Sequence, residues 1–251
     1  MRVFALSDLH ADHASNFEWL GNLSAWDYRE DVLILAGDIT DSLQRLDECF
    51  RLLVARFARV LFVPGNHELW VVRDKGMRDS FEKFESVGAH ARECGVSMQP
   101  FTAGDVSIVP LLGWYDFSFQ PPSEELLERW SDFRACRWNV SDAAVTAHFL
   151  KMNEPALELK NRTLISFSHF LPRIDLMPPQ IPPRQRLVYP VLGTHALERQ
   201  IRHLGSSIHV YGHSHVNRRV QKDGVLYVNN AFGYPHERHI TGKRLLCIHE
   251  A

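Results

Sequence analysis

Five short segments carry side chains able to bind a metal or move a proton. They are Asp8-Leu9-His10, Gly37-Asp38-Ile39-Thr40-Asp41, Gly65-Asn66-His67-Glu68, Ser168-His169 and Gly212-His213-Ser214-His215. Imidazole nitrogen, carboxylate oxygen and an amide oxygen together suit Mn, Fe, Zn or Ni, and no thiolate biases the set toward softer ions. There are too many donors for one closed tetrahedral ion. They suffice for two ions if one carboxylate bridges them. Two divalent ions side by side lower the pKa of a bridging water and stabilise the attacking and leaving oxygens of a displacement.

The spacing of these residues supports convergence. In extended chain, residues two apart point to the same side, so Asp8 with His10, and His213 with His215, are expected to face one centre. Glycine precedes Asp38, Asn66 and His213, where it permits tight turns and close backbone approach.

Each segment directly follows an apolar run. RVFALS, DVLILAGD, ARVLFVPGN, VSIVPLLGW, TLISFSH and SIHVYGH read as buried strands, because their apolar residues are continuous rather than alternating. Helical spacing at 42–57, 77–94, 123–131, 141–160 and 195–205 separates them, with Ser42, Ser123 and Ser141 as expected caps. Pro155 is expected to kink or divide the fourth of these helices. Strand and helix alternate, which implies βαβ units and a largely parallel sheet. The carboxyl ends of parallel strands gather along one edge, where ligands bind. The last fifty residues read as mainly β, with a hairpin turn at Asp223-Gly224.

Two stretches stand apart. Residues 171–190 hold six prolines and are expected to form an extended loop. The loop leaves the chain just after His169, so it is expected to border the site. Arg173, Arg184 and Arg186 on it are expected to contact a second charged group of a substrate. The stretch 113–138 is rich in aromatic residues; Trp130 and Phe133 read as core, and Trp114 and Tyr115 stay open between core and substrate platform.

Composition narrows the class. At 251 residues the expectation is one domain spanning 1–251. A net charge of −2 speaks against a protein that grips long nucleic acid. No run of like charge suggests a membrane patch. The four cysteines form no CxxC pair and read as reduced thiols of a cytoplasmic protein. The opening apolar run is too short for a signal-peptide core, and no stretch is long enough to span a membrane.

The motifs DxH, GDxxD, GNHE, a later His and GHxH, in this order over residues 8–215, resemble the calcineurin-like metallophosphoesterases. The resemblance implies an α/β fold of two packed mixed sheets flanked by helices, an α/β/β/α sandwich. It implies that Asp8, His10 and His215 hold one ion, that Asn66, His169 and His213 hold the other, and that Asp38 bridges them. His67 would serve as general acid beside the leaving group, and Asp41 would orient it. The implied activity is hydrolysis of a small phosphomonoester or phosphodiester by a bridging hydroxide, with Mn the first expectation among the metals. Asp41 is followed by Ser42-Leu43 rather than the Arg-Gly pair of the family's protein phosphatases, which argues against a phosphoprotein substrate. The alternatives are a nuclease of the same fold acting on short nucleic acid, and an inactive interaction module. The second would be expected to have lost ligands, whereas all seven positions and His67 are filled here.

Overall fold

The computed structural model describes residues 1–74 and 76–250. Two sheets stack face to face. The first contains β1 (Arg2–Leu6), β2 (Val32–Ala36), β3 (Arg59–Val63) and β10 (Leu246–Glu250), in the order β10-β1-β2-β3. The second contains β4 (Phe101–Ala103), β5 (Val106–Pro110), β6 (Thr163–Phe167), β7 (Ile208–Tyr211), β8 (Arg218–Lys222) and β9 (Val225–Asn229), in the order β4-β5-β6-β7-β9-β8. Pairing is parallel through β1-β2-β3 and β5-β6-β7-β9, and antiparallel at the edges formed by β10, β4 and β8. Both sheets are therefore mixed, as the family resemblance implied.

The continuous apolar runs are explained by burial on both faces. Val3, Ala5, Ile34 and Leu61 of the first sheet meet Ile108, Ile165, Val210 and Val228 of the second in a dry inner layer. The opposite face of the first sheet packs Leu33, Leu35 and Phe62 against α2 (Leu43–Val54) and α3 (Ser80–Glu93). The outer face of the second packs Val109, Leu164 and Tyr211 against α6 (Asp142–Leu157) and α7 (His195–Leu204). The result is four layers, helix on sheet on sheet on helix.

Ser42, Ser123 and Ser141 cap their helices as expected, each accepting from the backbone N–H three residues on. Two expectations need correction, and one helix was missed. The helix α1 (Ala14–Gly21) went unread, because its N-terminus has no side-chain cap and its apolar stripe is weak. Pro155 does not divide α6, which runs unbroken to Leu157; the proline falls in the last turn, where little helix follows it. Residues 171–190 are not simply extended: 3-10 helices occupy Ile174–Leu176 and Pro183–Val191, the second opened by proline, whose fixed φ suits a first helical turn. Trp114 and Tyr115, left open by the sequence, are fully buried core residues, and Trp130 packs half-buried against the same core while its ring also meets His213.

Candidate functional site

The loops after β1, β2, β3, β6 and β7 meet where the carboxyl ends of both sheets come together. Backbone bonds knit them. Asp8 N donates to Gly37 O at 2.9 Å and His10 N to Asp38 O at 3.0 Å, while Gly212 N donates to His169 O at 2.9 Å. A Cβ on Gly37 would lie 2.5 Å from His169 Nδ1, and Gly37 has φ +81°, so both space and backbone demand glycine.

The local conformation differs from the extended chain expected. Asp8, His10, Asp38, His213 and His215 all have left-handed backbone, with φ between 45° and 66°. Such a conformation costs about 1–2 kcal/mol per non-glycine residue. Five such residues in one cluster mark a strained, functional centre. The pairs Asp8/His10 and His213/His215 do converge, through tight turns rather than through the pleat.

The donors fall into two groups that share one carboxylate. Asp8, His10, Asp38 and His215 place ligand atoms within 4.8 Å of one another, and so do Asp38, His169 and His213. In the first group His10 Nε2 lies 3.0 Å from His215 Nε2, and His215 Nε2 lies 3.3 Å from Asp8 Oδ1. In the second, His169 Nε2 lies 3.1 Å from His213 Nδ1 and 3.2 Å from Asn66 Oδ1. Asp38 Oδ2 is 3.4 Å from His169 Nε2.

The opposite ring nitrogens are already committed. His169 Nδ1 donates to Ala36 O at 2.8 Å, His213 Nε2 to Val191 O at 3.0 Å, and His215 Nδ1 to Glu237 Oε2 at 2.7 Å. Each outer partner fixes one N–H and turns the other nitrogen's lone pair inward. Lone pairs of His169 and His213 then face each other and the Asn66 oxygen, an arrangement that requires positive charge between them. Burial lowers His169, but the neighbouring Asp38 carboxylate carries it up to about 9. Burial likewise lowers His215, and Asp8 carries it up to about 10. Asp38 and Asp8 feel the reciprocal pull: burial raises both, yet the adjacent imidazoles hold both below the usual carboxylate range. His213 falls to about 3 through burial and the nearby His169. The donor set thus fits cations, and it is the set the family resemblance named.

His67 sits at the rim, its backbone N–H donating to Asp38 Oδ1 at 3.0 Å and its Nε2 3.9 Å from Asp38 Oδ2. The structure does not show the expected orienting contact from Asp41. The Asp41 Oδ2 is paired with Arg73 Nε at 2.8 Å and its Oδ1 has no hydrogen-bond partner, because the 37–41 turn directs this side chain toward the 71–74 segment. The His67 ring instead stacks on Trp70 with centroids 3.8 Å apart.

One of the three arginines also needs correction. Arg173 is bound to Asp175 at 3.0 Å, Glu198 at 3.3 Å and Asp223 at 2.6 Å, so its guanidinium is saturated by protein carboxylates and is not presented to a substrate. Arg184 and Arg186 line a cleft of about 550 Å³ together with Gln120, Glu125 and Arg129. They lie toward the start of the 3-10 helix whose far end, Val191, touches His213.

Several residues went unread. Glu68, fully buried, accepts from the backbone N–H groups of Asp38, Ile39, Thr40 and Gly65, and so ties two of the loops together. Tyr234 stacks on His10 at 4.3 Å, and its backbone N–H shares Glu237 with His215. Asp132, Trp70 and Trp130 form a third support. Asp132 meets Asn66 and Trp70 across 66 and 62 residues of chain, which no local signal could have revealed.

A model of the calcineurin-like phosphoesterase family matches residues 1–217. The acyl-carrier-protein phosphodiesterase PptH of Mycobacterium tuberculosis is 28% identical over 259 residues, covering 94% of this chain and 78% of that protein. The crystal structure of the phosphopantetheinyl hydrolase PptH from the same organism superposes with a TM-score of 0.83 at 25% identity, over 98% of this chain and 95% of that one. Among the described residues, no helix is long and apolar enough to cross a membrane.

Proposed function

This chain belongs to the calcineurin-like phosphoesterase family, and we propose that within it the protein hydrolyses a phosphodiester joining a phosphopantetheinyl group to a carrier protein. Its general activity, hydrolysis of phosphate esters, follows from the family. The finer substrate rests on the likeness to an acyl-carrier-protein phosphodiesterase along nearly the whole chain. It replaces the free small ester expected from the sequence with a protein-borne one.

The observation that carries the site is Asp38, whose carboxylate belongs to both donor groups. We assign Asp8, His10 and His215 to one ion, Asn66, His169 and His213 to a second, and Asp38 to both, with Mn as the metal that an oxygen and imidazole set suits. When bound, two such ions would activate water and draw in the anionic phosphate. His67 is assigned the proton on Nε2 that the departing alkoxide takes up, a contribution typically of about 10²–10⁴ in rate. Arg184 and Arg186, beside Arg129 in their cleft, are assigned to an anionic part of the substrate; Arg173 drops out. Because the site draws on both sheets, we assign the whole chain, 1–251, to one domain. Four unpaired cysteines support a cytoplasmic location.

The test is to deplete the protein of metal, reload it with Mn, and offer holo carrier protein, bis(p-nitrophenyl) phosphate and a single-stranded oligonucleotide. The expected result is cleavage of the aryl diester and release of the phosphopantetheinyl group, read as a mass loss on the carrier. Cleavage of the oligonucleotide with an untouched carrier would replace this substrate with short nucleic acid. Activity on none of the three would overturn the reading.

A further inference from the structure

Asp132 begins a short helix, Asp132–Ala135, and is 2% exposed. Its carboxylate collects three donors, two from the 66–70 segment and one from Trp130, two residues before it. Oδ1 accepts from Asn66 Nδ2 at 2.9 Å and from Trp70 Nε1 at 2.7 Å. Oδ2 accepts from Trp130 Nε1 at 2.8 Å. Every donor leads to the site. Asn66 turns its oxygen to His169, Trp70 lies against the His67 ring, and Trp130 meets His213 edge-on at 5.9 Å.

The chemistry of these groups leaves little freedom. An indole N–H donates only, and a primary amide has one donating and one accepting end. Asp132 holds the donating end of Asn66, so the accepting end must face the second donor group. Without an acceptor at 132, the amide is free to turn over and present N–H to a cation. The same carboxylate anchors the ring beneath His67.

We propose that Asp132 is a positioning residue for the phosphoester reaction: it fixes which atom of Asn66 faces the second metal and secures Trp70 beneath His67. This rests on the assignment of Asn66, His169 and His213 to a metal.

The test compares wild type, Asp132→Asn and Asp132→Ala as full-length protein, by Mn titration of metal-depleted enzyme and by turnover of bis(p-nitrophenyl) phosphate. Loss of an outer-shell partner typically weakens metal affinity about 10–100-fold. The expected result for Asp132→Ala is a loss of that size at one of the two ions, with the other held as in wild type and turnover restored by excess Mn. Asp132→Asn, which keeps one acceptor oxygen for three donors, should lose less. A scaffold role alone would weaken both ions together with the melting temperature. Two ions bound by Asp132→Ala with wild-type affinities would overturn the proposal and leave the metal assignment standing, whereas failure of the wild type to take a second ion would overturn the assignment itself. If Asp132→Ala does not fold, two results decide: Asp132→Asn, and hydrogen exchange of the Trp70 and Trp130 indoles in wild-type holoenzyme. Unprotected indoles, or Asp132→Asn with unchanged metal affinities, would overturn it.

Discussion

The imidazole of His67 lies on the indole of Trp70, centroids 3.8 Å apart and planes 28° from parallel. The indole is itself held through Nε1 by Asp132. The ring assigned to protonate the leaving group is therefore aligned by stacking, with no hydrogen bond between it and Asp41. His67→Ala should keep its metals and lose about 10²–10⁴ in rate on alkyl diesters. Aryl esters, whose nitrophenolate departs unprotonated, should lose less. Trp70→Leu should shift the same ratio of alkyl to aryl rates in the same direction, by a smaller factor. Asp41→Asn should leave the ratio unchanged. A changed ratio in Asp41→Asn, measured by steady-state kinetics on the two ester types, would contradict this alignment.

Metal content offers an independent check. Elemental analysis of Mn-loaded protein should give two ions per chain, and Asp38→Asn should lose at least one of them, since its carboxylate serves both groups. Ligand binding to the native state adds about 2.7 kcal/mol of stability at a hundredfold excess over Kd. Chelation should therefore lower the melting temperature of wild type well beyond its effect on Asp38→Asn. Equal responses of the two proteins to chelator would contradict the shared carboxylate.

The segments that carry chemistry were legible because each ends a strand whose apolar residues run without break, as in Val32–Ala36, a pattern that burial on both faces produces. The donors' convergence was legible too, but for a reason that proved wrong in detail. Asp8 and His10 meet through left-handed turns, not through the alternation of extended chain. Turn geometry of this kind depends on bonds such as His10 N to Asp38 O, which no local pattern encodes. The supports were illegible for the same reason: Asn66 and Trp70 are 66 and 62 residues from Asp132. Arg173 misled because a loop arginine looks free until Glu198 and Asp223 arrive from a distant helix and a distant hairpin turn.

Glu68 should matter to stability more than its neighbours suggest. Burial, with the charge of Asp38 close by, raises its carboxyl to about 7, yet it satisfies four backbone N–H groups from two loops. Leaving a buried donor without a partner costs about 1–3 kcal/mol. Glu68→Gln keeps the shape but replaces one acceptor oxygen with a donor, so a loss of about 2–4 kcal/mol in denaturant unfolding is expected. A midpoint within experimental error of wild type would show that the loops hold their form without it.

His209 supplies a pH signature away from the rim. Among the hydrogen bonds of this region, Ser206 Oγ donates to Ser166 Oγ, and Ser168 Oγ donates to Phe170 O. Ser166 is then left to give its proton to His209 Nδ1 at 2.8 Å, and Ser168 to accept from His209 Nε2 at 3.1 Å. In this network the ring is the neutral Nε2–H tautomer. Burial drives its pKa down to about 3, against about 6.5 in an unfolded chain. Between those values the unfolded state binds a proton that the folded state refuses. The stability present above about pH 6.5 is therefore lost as pH falls toward 3, at up to about 1.4 kcal/mol per pH unit. His209→Gln cannot titrate, so its unfolding free energy should fall less steeply over this window, whatever its value at pH 7. Nitrogen NMR of the ring should show the neutral Nε2–H form at pH 5. Parallel pH slopes for the two proteins, or an imidazolium signal from His209 at that pH, would show that the serine cluster does accommodate the charge.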